Sequence, residues 1–136
     1  MIMESFLYAV LLVLLLQNIY LSQGVNMNNL NNFILSIGAG LYEELIFRFF
    51  LLFFLSKSFI FIFKMKEFSS LLLSIIASSV LFSLFHYIGQ ESFNSYSFTL
   101  RFIAGIYLSL IYINRGFGIV ALTHAFYDLF VIFRLT

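Results

Sequence analysis

The residues of this chain whose types and spacing could do chemistry fall into three small groups, each set in apolar sequence. Glu43, Glu44 and Arg48 lie in a stretch, residues 32–55, that carries no other charge. An ionised side chain at bilayer depth costs roughly 2.5–3.5 kcal/mol, so three within two helical turns would cost about 8 kcal/mol unless they pair, protonate or face a wet cavity. Glu44 and Arg48, four residues apart, share a helix face and neutralise one another. Glu43 lies about 100° around the helix from Glu44, without a local partner, which suits a general base. A structural ion pair with Glu43 merely protonated is the inert alternative. Phe82 and His86 form the second group, His124 and Asp128 the third, each again four residues apart. Either histidine also has a structural reading, His86 as an interfacial residue and His124 with Asp128 as a strut between helices.

Groups this costly must be carried by elements that have little else polar. Hydrophobic residues make up 62% of the 136 and charged residues 10%, and the mean hydropathy is +1.06. Soluble domains do not have this composition. About 20 apolar residues cross a bilayer, and roughly five such runs are present, at about 2–21, 31–55, 68–88, 95–113 and 117–134. The fold class is therefore all-α, a polytopic membrane helix bundle of about five transmembrane helices, with residues 1–136 forming one membrane domain. The first run lacks a basic leader and an Ala-x-Ala site, so it reads as a retained span and not a cleaved signal. Gly38 and Gly40 either break the second run, which would put Glu43 and Glu44 in the first turn of a helix, or lie within one tilted helix.

The connections assign an orientation. Lys57, Lys64 and Lys66 fall in one connection and Arg115 in the next but one. By the positive-inside rule both face the cytoplasm, which puts the N-terminus inside. The second and third runs are then antiparallel, so the start of one lies beside the end of the other. That brings His86 to the same side as Glu43, toward the non-cytoplasmic face. Arg101 opens the fourth run near the outer interface, where snorkelling accounts for it. Ala104 and Gly105 let helices approach closely, and Gly116 and Gly118 shape the turn before the last run. The 20 phenylalanines read as lipid-facing or core bulk.

Other classes are excluded or weakened. The net charge of +1 and scattered basic residues argue against a nucleic-acid partner. The absence of cysteine removes disulfides, thiolate nucleophiles and thiolate metal sites. Glu43, Glu44, His86 and His124 could in principle bind zinc, but no His-Glu-x-x-His helix is present. A proton pathway would use the same residues, yet no inverted repeat is visible. Richness in Phe, Ile, Leu, Asn and Ser points to an AT-rich, bacterial coding genome.

The order Glu43-Glu44-x-x-x-Arg48, Phe82-x-x-x-His86 and His124-x-x-x-Asp128 resembles the family of CAAX-prenyl endopeptidases and bacteriocin-processing or immunity proteins, also called CPBP or Abi. The likeness covers about residues 36–134, including the Asn114-Arg115-Gly116 turn. It implies an intramembrane glutamate-type protease of the bacterial cell membrane that needs no cofactor or metal. Its partners would be the lipid bilayer and a small or membrane-tethered peptide substrate. By position, Glu43 and His86 would activate the attacking water, His124 and Asp128 would stabilise the oxyanion, and Glu44 and Arg48 would hold the architecture. An ionised Asp128 cannot donate a hydrogen bond, so it acts protonated or by orienting His124. A bacteriocin-immunity protein without catalysis is the alternative that the same family supplies.

Overall fold

The computed structural model describes residues 1–16, 37, 38, 40–88 and 92–134, with 132–134 described by backbone alone. Among these residues all regular structure is helical and none is strand. The helices are α1 (Ile2–Leu15), α2 (Gly40–Phe63), α3 (Glu67–Phe85), α4 (Ser95–Arg115) and α5 (Phe117–Arg134). With 24, 19 and 21 residues, α2, α3 and α4 are long and apolar enough to cross a membrane. The chain is an all-α bundle of membrane type. The expected end of the first span, the asparagine-rich connection and the start of the second run lie outside the described residues.

Helix α2 extends beyond the expected end at residue 55. No glycine or proline lies between Gly40 and Lys64, so nothing local stops it at Ser56 or Lys57. Lys57 stays in the helix with its ammonium 5.9 Å from the centre of the Phe53 ring. The helix ends only where Lys64 turns left-handed, at φ 53°. Within α2, residues Leu45–Leu52 are wound as a wider π-helix. Ser78 of α3 donates its hydroxyl to the Phe47 carbonyl in that segment, at 2.8 Å.

Small polar residues set the helix spacing. Ser70, Ser74, Ser78, Ser79 and Ser83 are all buried along α3. Ser70 donates to the Ser56 carbonyl of α2 at 2.6 Å and Ser83 to the Phe98 carbonyl of α4 at 2.8 Å. A Cβ on Gly105 would lie 3.0 Å from the Ser79 Cβ and 3.1 Å from its Cα. The expected close approach at Gly105 is thus between α3 and α4. These contacts make α3 and α4 antiparallel, so His86 and the start of α4 share one end of the bundle, while Lys66 and Arg115 share the other.

Helix α1 packs chiefly on α5. It is tied near its start, where the Ser5 hydroxyl donates to the Ile119 carbonyl at 3.3 Å and the Tyr107 hydroxyl to the Tyr8 carbonyl at 3.0 Å. Glu4 takes a two-pronged ion pair from Arg115, with Nη2 2.9 Å from Oε2. Ala9, Leu12 and Leu16 join Leu108 and Val120 in the apolar core. Gly116 makes the turn into α5 at φ 83°, a conformation that side chains other than glycine seldom adopt.

Candidate active site

The six residues given roles above, Glu43, Glu44, Arg48, His86, His124 and Asp128, converge where the Glu43–Arg48 segment of α2 meets the middle of α5 and the end of α3. Glu44 and Arg48 pair as expected, with Oε1 2.9 Å from Nη1, and are 0% and 1% exposed. The pair reaches further than its own helix. Arg48 donates to the Gly105 carbonyl of α4 at 3.4 Å, and its guanidinium lies 4.3 Å from the centre of the Phe82 ring of α3. One buried cation therefore ties α2 to both neighbours, as a planar guanidinium with five donors is suited to do.

Glu44 has a second partner that local spacing does not reveal. The Nδ1–H of His124 donates to Glu44 Oε1 at 2.7 Å. The expected partner of His124, Asp128 on the same helix face, stands with Oδ1 3.7 Å from Nε2. That is too long for a direct hydrogen bond. The two ring nitrogens of His124 are thereby divided: one is spoken for by Glu44, and the other faces open space and two further carboxylates.

Glu43 is the second of these. Its Oε2 lies 3.9 Å from His124 Nε2 and 3.8 Å from His86 Nε2. His86 is oriented by its own helix, since Nδ1 is 3.0 Å from the Phe82 carbonyl. A carbonyl only accepts, so Nδ1 carries a proton and Nε2 is the atom presented to Glu43. Edge-to-face contacts of Phe82 with both imidazoles, at centroid distances of 5.0 and 6.1 Å, limit ring rotation. Two imidazoles from two other helices thus flank one carboxylate oxygen, neither closer than 3.8 Å. The separation suits one bridging water.

Gly40 is the site residue that sequence reading missed. A Cβ there would meet Asp128 Oδ2 at 3.0 Å and the His124 ring at 3.5 Å. Its bare backbone is what admits α5 so close to α2. From the sequence Gly40 reads as a helix breaker, and the contact it serves, with His124 and Asp128, lies more than 80 residues away, beyond any local signal.

His86, His124, Asp128 and Phe82 form one wall of a cavity of about 220 Å³. Glu43 is not itself a lining residue and stands beside His86 and His124. Arg101 also lines the cavity, half-buried, with its guanidinium 5.4 Å from the centre of the Tyr87 ring. Its position is therefore at the site and not only at the interface. Asn94 lines the mouth and caps α4, accepting from the Tyr96 and Ser97 amides at 2.9 and 3.4 Å, as an asparagine at a helix start commonly does. Among the described residues no three His, Asp or Glu side chains converge as ligands of a metal ion would.

Carboxylate, imidazole and guanidinium in this arrangement can activate water and hold developing charge away from bulk solvent. No curated protein matches the chain, and no solved structure matches it. A family model does match, over residues 24–130, well over half of the chain, and it describes type II CAAX prenyl endopeptidases that are Rce1-like. The matched residues span all of the polar groups just described, and the chain belongs to this family of membrane endopeptidases.

Proposed function

We propose that the chain is an intramembrane endopeptidase that cuts a small or membrane-tethered peptide with a water activated by Glu43 and His86. The observation that carries this reading is the position of Glu43 Oε2, 3.8 Å from His86 Nε2 and 3.9 Å from His124 Nε2. A water there donates one hydrogen to Glu43 and the other to His86 Nε2, whose partner nitrogen is held by Phe82. Its lone pair is then free to attack a carbonyl carbon. Glu43 takes the proton and passes it to the leaving amine as the tetrahedral intermediate collapses.

His124 is the oxyanion donor in this scheme. Glu44 accepts its Nδ1–H, and in this scheme Nε2 carries a proton as well, with the Glu43 and Asp128 carboxylates nearby as counter-charges. The resulting imidazolium offers Nε2–H to the developing oxyanion. Asp128 acts on His124 as a nearby charge and not as a direct donor. Glu44 and Arg48 hold His124 in register. The chemistry needs no metal, and a chelator is expected to leave cleavage unchanged; activity lost to chelator and restored by zinc would reverse that assignment.

The orientation is part of the same proposal. Lys64, Lys66, Arg115 and the start of α1 gather at one end of the bundle, which the positive-inside rule makes cytoplasmic. The site opens toward the other side. The test of the reaction is peptide cleavage by purified protein in nanodiscs, with Glu43→Gln and His86→Ala. Loss of about 10²–10⁴-fold is expected for each, and cleavage at the wild-type rate would remove the enzyme reading.

A further inference from the structure

The outer flank of α2 carries a pattern that neither its packing nor the reaction uses. Phe53, Lys57, Phe61 and Lys64 follow one another at spacings of four, four and three residues. Those spacings keep all four on one face of the helix. Phe53 and Phe61 are 61% and 77% exposed, and both lysines are exposed as well. The Lys57 ammonium lies 5.9 Å from the centre of the Phe53 ring, and the Lys64 ammonium 5.5 Å from that of Phe61. Rings and cations therefore alternate, each cation lying back over the ring before it. Ion pairs among the described residues lie elsewhere, on Glu4, Glu43, Glu44 and Asp128, and none engages either lysine. Arg115 is at the same end of the bundle, but its charge is taken up by Glu4.

We propose that this stripe binds an anionic phospholipid, its phosphate held by Lys57 and Lys64 and an acyl chain lying along Phe53. Lysine is costly in hydrocarbon unless it reaches the interface or an opposite charge. Lys57 and Lys64 stand roughly 10 Å apart along the helix axis. The headgroup layer of one leaflet is about 5–8 Å deep, so two ammonium groups at this spacing bracket it. Their flexible stems make up the difference by snorkelling. Charge complementarity selects the occupant: a zwitterionic headgroup brings a cation of its own to the lysines, and an anionic one does not. The positive-inside rule makes this end cytoplasmic, where the leaflet surface is negative and each nearby lysine strengthens association about fivefold. The inference stands apart from the endopeptidase reading, since the stripe lies at the opposite end of α2 from Glu43.

The experiment reads lipid selectivity at one position. The chain has no tryptophan, so Phe61→Trp places a single fluorophore in the stripe and keeps an aromatic ring there. The protein carrying it is reconstituted in vesicles of phosphatidylcholine and phosphatidylglycerol in equal parts, with bromine on the acyl chains of one lipid or the other. Quenching is expected to report a preference for phosphatidylglycerol of at least about fivefold. Adding Lys57→Gln and Lys64→Gln should bring the two lipids to parity. Phe93→Trp, at a position 66% exposed at the other end of the bundle, should show no preference.

Equal quenching by both lipids at position 61 overturns the proposal. A preference that survives the lysine substitutions does so too, as does one equally large at position 93, because the stripe would then not be what selects the lipid. Should the lysine variant fail to fold, the comparison between positions 61 and 93 decides alone.

Discussion

Two ion pairs in this molecule have the same chemistry and opposite settings. Glu44–Arg48 lies between α2, α3 and α5 with both side chains essentially unexposed, and each partner makes further contacts to other helices. Glu4–Arg115 joins α1 to the end of α4 at the bundle's edge, with the side chains 29% and 49% exposed. A buried pair owes little net stability to its attraction, because desolvation offsets it, but removing one partner strands a charge. An exposed pair is screened, and its loss leaves nothing stranded. The first pair is part of the site's framework, and the second fastens a helix.

Breaking the buried pair is expected to have the largest effect. Glu44→Gln should cost about 3–5 kcal/mol, read as lower thermal stability of the purified protein, and cleavage should fall with it because His124 loses its charged partner. Removing both charges, as Glu44→Leu with Arg48→Met, should return most of that stability and none of the activity. Stability that stayed low in the double variant would mean that the pair contributes attraction and not merely mutual neutralisation.

Gly105→Leu comes next. It forces a side chain into the Ser79 backbone, for which overpacking costs of about 1–3 kcal/mol apply; a variant of undiminished stability would show that α3 and α4 can part without loss. Ser78→Ala removes the hydroxyl that holds the π-helical segment through Phe47. A loss of about 0.6 kcal/mol, the mean for interhelical hydrogen bonds in membranes, is expected. The smallest effect belongs to the exposed pair. Glu4→Gln should leave thermal stability unchanged at physiological salt and lower it only when salt is removed. A loss as large as that of Glu44→Gln would erase the distinction between the two pairs.

Neighbouring residues on one helix make the same contrast at finer scale. Glu43 and Glu44 are adjacent, yet Glu44 is wholly buried and doubly bound while Glu43 is 17% exposed and touches its imidazoles only at 3.8–3.9 Å. Glu43→Gln should therefore remove cleavage and leave the unfolding curve in place.

Part of this was legible before the fold. Four-residue spacing placed Arg48 on Glu44, and antiparallel second and third runs placed His86 beside Glu43, as found. The same rule pointed His124 at Asp128, where tertiary packing turned Nδ1 to Glu44 instead. Arg101 read as an interfacial residue because its own helix shows an end and not the cavity beside it.

What the sequence by itself determined was a membrane bundle and the small set of ionisable groups it must accommodate, because the cost of charge in hydrocarbon acts on each residue regardless of its neighbours. Which nitrogen meets which carboxylate was decided only by tertiary structure. Gly40, Gly105 and the α3 serines let the helices approach closely, and that approach alone sets ångström distances between residues far apart in the chain.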